Sequence, residues 1–180
     1  MSRILVIVGS MRKHGNTEVL ASEFERGARD GNNNVTVISV RDYNIVPCTG
    51  CNACHRRENK DCAINDDMQK IFPILRDADI IVIASPVYFY GISARLKSII
   101  DRLHQPARSA MKVKKLGLLL VAADTIPSVF DAIKMQYNLI LDYFHLDNIG
   151  EVLAYGVEAV GDIEGKPILD EAYQLGKRLE

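Results

Sequence analysis

What this 180-residue chain lacks narrows its function before anything it contains. It has no excess of charge: 22 Lys and Arg face 23 Asp and Glu, a formal net charge of −1. Without a global basic field or an acidic tail, nucleic acid is not an expected partner. Long hydrophobic runs are missing too. Ile80 to Ala84 and Leu116 to Ala123 are the longest, far below the roughly 20 residues that a membrane helix needs. The first strand-like run opens at Arg3, so no signal peptide is expected. Cysteines are not scattered along the chain. All four lie between Cys48 and Cys62, which is not how a disulfide framework staples a fold, so a reducing cytoplasm is the expected compartment. No repeat, low-complexity stretch or linker divides the chain, so residues 1–180 are expected to form one domain. At this length, with 48% apolar and 25% charged residues, one domain can bury a full core.

What is present alternates. Arg3 to Val8 is a nearly continuous apolar run, the pattern of a parallel strand covered on both faces. A helix is expected from about Asn16 to Ala28, with Leu20, Ala21, Phe24 and Ala28 on one stripe and Gly31 stopping it. Asn34 to Val40 reads as a second strand. Asp66 to Arg76 reads as a helix, with Asp66 and Asp67 favourable in its first turn, Met68, Ile71 and Leu75 inward, and Pro73 as the place where it would kink or shorten. Ile80 to Ala84 is a third strand, ended by Pro86, and Ser93 to Leu103 a helix burying Leu96, Ile99, Ile100 and Leu103. Leu116 to Ala123 is a fourth strand. Helical spacing then runs from Val129 through Ile133, Tyr137 and Leu141 to Phe144. A strand near Gly150 to Gly156 and a helix from about Pro167 complete the chain. Five strand–helix units mean an α/β fold: a three-layer, doubly wound, five-stranded parallel sheet. Ligands of such sheets bind outside the carboxyl ends of the strands, near the switch in strand order.

The loops at that end carry the chemistry. After the first strand comes Gly9-Ser10-Met11-Arg12-Lys13-His14-Gly15-Asn16-Thr17. Two glycines let the backbone N–H groups converge, the helix N-terminus adds partial positive charge, and Ser10, Asn16, Thr17, Arg12 and Lys13 add donors and charge. This is a phosphate cradle, or more simply a tight capped turn. It is not a P-loop: five residues separate Gly9 from Gly15, and Asn16 stands where the phosphate-binding lysine would be. Nor does a G-x-G-x-x-G follow the strand, or an acidic pair end it. After the third strand comes Ser85-Pro86-Val87-Tyr88-Phe89-Tyr90-Gly91, which offers aromatic faces and backbone N–H groups to a flat ring. The plainer reading is a set of aromatics capping the core.

Taken together, Gly9-Ser10-x-Arg12-x-x-Gly15-Asn16-Thr17, Ser85-Pro86-Val87-Tyr88 and Leu96-Lys97-x-x-Ile100-Asp101-Arg102 resemble the NAD(P)H-dependent FMN reductase family of flavodoxin-like proteins. The Cys48-x-x-Cys51-x-x-Cys54 run with Cys62, leading into Asp66-Asp67-Met68, is similar to the iron–sulfur flavoprotein branch. The likeness extends to Gly161-Asp162-Ile163 and Lys166-Pro167. It implies a flavodoxin-like strand order 2-1-3-4-5, with FMN phosphate on Ser10, Arg12, Asn16 and Thr17. It also implies that Pro86, Val87, Tyr88, Phe89, Tyr90 and Gly91 line the flavin ring. The loop Ala122-Ala123-Asp124-Thr125 departs from the glycine-rich stretch that many relatives have beside the flavin.

By spacing, the four cysteines admit several readings. Four thiolates suit zinc, but structural zinc sites usually separate two ligand pairs by a longer span. Three closely spaced cysteines and a fourth suit a [4Fe–4S] cluster, each thiolate holding one iron, as in the similar iron–sulfur flavoproteins. Free thiols or a partner-binding surface are the alternatives. His14, His55, His104 and His145 are not assigned to catalysis, and no catalytic residue is expected, because a flavin carries the chemistry itself. The expected activity is an FMN-dependent oxidoreductase passing electrons from NAD(P)H to a small acceptor such as a quinone or flavin. The alternative is an electron carrier relaying electrons between FMN, a [4Fe–4S] cluster and a ferredoxin-like partner. Similar proteins place the Ser93–Leu103 helix near a dimer surface, so a homodimer or a tetramer of dimers is expected.

Overall fold

The computed structural model describes residues 1–179. Five strands form the parallel sheet: β1 (Arg3–Val8), β2 (Asn34–Ser39), β3 (Ile80–Tyr88), β5 (Lys115–Val121) and β6 (Asp147–Ala154). Their order is β2-β1-β3-β5-β6, and a two-residue antiparallel strand, β4 (Gly91–Ile92), folds back on β3. Leaving β4 aside, this is the expected doubly wound order. The apolar run of β1 is buried from Ile4 to Val8 because helices cover both faces of the sheet.

On one face lie α1 (Asn16–Asp30) and α6 (Ile168–Lys177). The stripe Leu20, Ala21, Phe24 and Ala28 is buried there against Val6, Val82 and Leu119. The two helices touch backbone to backbone: a Cβ on Gly27 would stand 2.0 Å from the Tyr173 carbonyl oxygen, and one on Gly176 would stand 2.2 Å from that of Phe24. On the other face lie α3 (Met68–Asp77), α4 (Ala94–Arg102) and α5 (Asp131–Phe144), after the short α2 (Ala53–Arg56). Met68, Ile71, Leu75, Leu96, Ile99, Ile133, Tyr137 and Leu141 pack there under Ile81, Leu116 and Leu118. α3 runs through Pro73 without ending. Pro73 and Gln69 are both exposed, so the carbonyl left unbonded one turn before the proline faces water.

Pro86 does not end β3, contrary to the sequence expectation; the strand continues to Tyr88 with Pro86 opposite Val121 of β5. The reason is geometric. The Ala84 carbonyl faces β1, accepting from Gly9 N at 2.7 Å, and Pro86, two residues on, faces the same way. Pairing of β3 with β1 stops at Ala84, so the N–H that proline lacks has no ladder to leave.

Candidate functional site

The loop between β1 and α1 is built to leave donors free. Gly15 caps α1 in an extended conformation, and its carbonyl receives the N–H groups of Glu18 and Val19. The N–H groups of Gly15, Asn16 and Thr17 take no partner among the described residues, as expected for a first helical turn. Ser10 Oγ accepts from Arg12 N at 3.2 Å and folds the loop inward. Glu18, an anion beside this cradle, accepts from His14 N at 2.7 Å and takes both arms of Arg41, at 2.7 and 2.9 Å. The hydrogen bond from Arg41 holds its carboxyl below the usual range, and the guanidinium offsets its charge.

A cleft of about 200 Å³ joins this loop to the end of β3. Ser10, Arg12, Asn16 and Thr17 line one side, Pro86, Val87 and Tyr88 the other, and Val121, Ala123, Val157 and Glu158 the third. Seven of the ten residues proposed to touch a cofactor thus converge on one cleft. Two of them do so in an unforeseen way. The side chain of Asn16 is taken up by the segment after β6, giving Nδ2–H to Ala159 O (2.9 Å) and accepting Ile163 N–H (3.3 Å). Arg12 Nη1 donates to Glu158 O at 2.8 Å. That segment is itself folded by Asp162, which accepts the N–H groups of Glu158 and Ala159 at 2.9 and 2.7 Å. With its side chain held there, Asn16 keeps an unpartnered backbone N–H. In the third wall, Asp124 does the turning that a glycine would do, its Oδ1 accepting from Thr125 N and Ile126 N.

The remaining three residues lie past the cleft. Tyr88 pairs with Gly91, and Phe89 and Tyr90 form the two-residue turn between them. Both have positive φ, 49° and 63°, the pattern of a type I′ turn that favours Asn-Gly. Bulky residues adopt this region at a cost of about 1–2 kcal/mol each. Phe89 is 98% exposed and Tyr90 53%, so burial offsets none of the cost at Phe89 and only part of it at Tyr90. The stem beneath is tightly held. Ser93 Oγ–H donates to Gly9 O at 2.6 Å, and Ser93 N donates to Ser85 Oγ at 3.1 Å.

The cysteines are free thiols on the segment between β2 and α3, with Cys48 and Cys51 exposed and Cys54 and Cys62 partly covered. Cys51 sulfur accepts the Ala53 N–H and the Thr49 hydroxyl, which lowers its thiol pKa. Among the described residues, no three His, Cys, Asp or Glu side chains stand close enough to hold a metal ion. The donor chemistry of four thiols suits iron, but their placement does not form a site. What the structure does define is how the segment is fastened. Arg102, whose side chain is fully buried, grips Asp66 with both arms at 2.8 and 3.1 Å and donates to Val46 O at 2.9 Å. Asp66 in turn accepts Val46 N and Met68 N at 2.8 and 3.1 Å. One guanidinium therefore ties together the two ends of the thiol segment, with the Cys62 thiol also in its reach. Burial alone would raise the Asp66 carboxyl, yet Arg102 and the two N–H groups bring it below its ordinary value. The Arg102 motif was visible in the sequence; its buried partner was not, since Asp66 and Asp67 both read as first-turn acids.

No helix among the described residues is long and apolar enough to cross a membrane. An iron–sulfur flavoprotein of Methanocaldococcus jannaschii is 32% identical, over 98% of this chain and 95% of that protein. A Bacillus subtilis protein named as an NAD(P)H-dependent FMN-containing oxidoreductase is 26% identical, over 98% of this chain and 97% of its own. Among solved structures, an NAD(P)H:quinone oxidoreductase from Methanothermobacter marburgensis superposes with a TM-score of 0.74, at 14% identity and 99% coverage of both chains, a likeness of fold. The family model for NADPH-dependent FMN reductase matches residues 2–150, and the chain belongs to that family of flavin-dependent oxidoreductases.

Proposed function

We propose that this chain binds FMN in the cleft between the Gly9–Thr17 loop and Pro86–Tyr88, takes electrons from NAD(P)H and passes them to a small acceptor such as a quinone or a free flavin. The observation that carries the reading is the cradle: three unpartnered N–H groups at a helix N-terminus, with Ser10 and Thr17 beside them in one cleft. Such an arrangement suits a terminal phosphate. Ser10 and the N–H groups of Gly15, Asn16 and Thr17 would hold it, with Arg12 at the mouth. Pro86, Val87 and Tyr88 would flank the ring, and Val121 and Ala123 would exclude water behind it. FMN supplies the chemistry, accepting hydride from a nicotinamide; the protein's part is to bind, orient and shield. Fluorescence-quenching titration with FMN, followed by NAD(P)H consumption with a quinone, tests this. A chain that leaves FMN fluorescence unquenched ends the reading.

A second reading, the iron–sulfur electron carrier, is favoured by the four thiols and by the relatives that bear that name. In it Cys48, Cys51, Cys54 and Cys62 would close on a [4Fe–4S] centre once iron and sulfide are supplied, and a ferredoxin-like protein would exchange electrons with it. Anaerobic reconstitution decides: about four irons per chain are expected of the cubane, and fewer than about one rejects it. The exposed stripe Met135, Leu139 and Tyr143 on α5, beside a groove shared with Lys97, Ile100 and Asp101 of α4, supports the expected homodimer or tetramer of dimers. Light scattering that gives a 20.1 kDa particle with FMN bound would remove that assembly. The four free thiols suit a reducing cytoplasm.

A further inference from the structure

We infer that the Phe89–Tyr90 hairpin tip is a platform for planar aromatic electron acceptors, and that it sets acceptor specificity rather than cofactor binding. The inference rests on the oxidoreductase reading above. Its starting point is a conflict between sequence and backbone: two aromatic residues occupy the two left-handed positions of a two-residue turn, φ 49° and 63°, where Asn-Gly would fit without strain. Strain of this kind persists only where surrounding structure over-determines it. Here the stem does so. Val87 pairs with Ile92 and Tyr88 with Gly91, while Ser85 and Ser93 tie the stem to the Gly9 carbonyl of the phosphate loop.

Burial offsets none of that strain at Phe89, which is almost fully exposed, and only part of it at Tyr90, which is half-covered. Phe89 and Tyr90 belong to neither core cluster, and their ring contact is with each other, edge to face with centroids 6.1 Å apart. Neither lines the cleft; Tyr88, the next residue back, does. The tip therefore presents an exposed Phe89 ring and a half-exposed Tyr90 ring at the lip of the cleft, on a tightly held stem. An edge-to-face pair leaves ring faces open, and the partner chemistry that matches them is a flat aromatic ring, which gains from stacking and displaces poorly held water. In the overall reaction NAD(P)H gives a hydride and solvent a proton, so a quinone leaves as the hydroquinone and the nicotinamide as NAD(P)⁺. The platform enters only by holding the quinone.

The test uses FMN-loaded protein carrying Phe89→Asn with Tyr90→Gly, the pair that the turn geometry prefers. Four quantities are measured: melting temperature, FMN affinity, the KM for menadione and the rate with ferricyanide, which has no ring to stack. Relief of strain at two positions is expected to raise the melting temperature by about 4–16 °C. The KM for menadione is expected to rise about five- to tenfold, the loss of one or two ring contacts, with FMN affinity and the ferricyanide rate within about twofold. Phe89→Tyr, which keeps the ring, is expected to retain the original KM. A higher melting temperature with an unchanged menadione KM overturns the proposal. So does a parallel loss of FMN affinity, which would give the tip to the cofactor, or a loss of dimer with KM unchanged, which would give it to a second copy. A melting temperature that fails to rise removes the strain on which the argument stands. Wild-type protein that reduces neither acceptor removes the oxidoreductase reading and the platform with it; ferricyanide turnover with a menadione KM indifferent to the tip removes the platform alone.

Discussion

Replacing Arg102 by methionine tests whether one buried guanidinium fastens the thiol segment to the sheet. The side chain is fully buried and Asp66 is 4% exposed, so the change strands a carboxylate where water cannot reach it. Breaking a buried pair by removing one partner costs about 3–5 kcal/mol. Asp66 keeps two N–H donors, from Val46 and Met68, which places the expected loss near the lower bound, about 3 kcal/mol. For a chain of this size that is roughly 6–12 °C in melting temperature. Replacing both partners, Arg102→Met with Asp66→Leu, is expected to recover part of the loss, because no charge is then left unpaired; a double-mutant cycle should give a coupling of about 1–3 kcal/mol. The pH dependence has a definite sign. Asp66 has a folded-state pKa below its ordinary value, so its contribution is present above the unfolded carboxylate pKa, about 3.9. It is lost as pH falls through the lower, folded value. The stability gap between wild type and Arg102→Met should therefore be full at pH 7 and close in strong acid. Urea denaturation at pH 7 and in acid measures it. A gap below about 1 kcal/mol at pH 7, the range of an exposed pair, or a gap that does not narrow in acid, would refute the reasoning.

Other outcomes follow from the same packing. Ser10→Ala is expected to weaken FMN by about 1–3 kcal/mol, the range for a hydrogen bond to a charged group; isothermal titration measures it. Arg12→Ala is expected to weaken FMN over the same range and also to loosen the segment after β6, whose Glu158 carbonyl it holds, seen as faster hydrogen exchange there. Gly27→Ala puts a methyl group 2.0 Å from a backbone oxygen of α6, so α1 and α6 must part. A loss at or above the 1–3 kcal/mol usual for overpacking is expected in urea denaturation.

The sequence by itself determined the layers and the order of the chemistry along them. Continuous apolar runs demanded strands covered on both faces, helical spacing supplied the covers, and short right-handed crossovers left few ways to join them. Those are local or nearly local rules, which is why α1 begins at Asn16 and why Leu20, Phe24, Ile71 and Leu96 are buried as read. The meeting of the Gly9–Thr17 and Pro86–Tyr88 loops in one cleft was legible for the same reason, since both end parallel strands on the same side of the sheet. Contacts between residues far apart in the chain were not legible. Asn16 read as a phosphate ligand because its helix position is right, but its side chain is committed to Ala159 and Ile163, more than 140 positions away. Asp66 read as a first-turn acid, yet it is the buried partner of Arg102. Pro86 read as a strand end because proline lacks an N–H, and only the early stop of the neighbouring strand made that lack harmless. In each case the side chain's role depends on which distant backbone lies beside it, and that is decided when the sheet and its covering segments close.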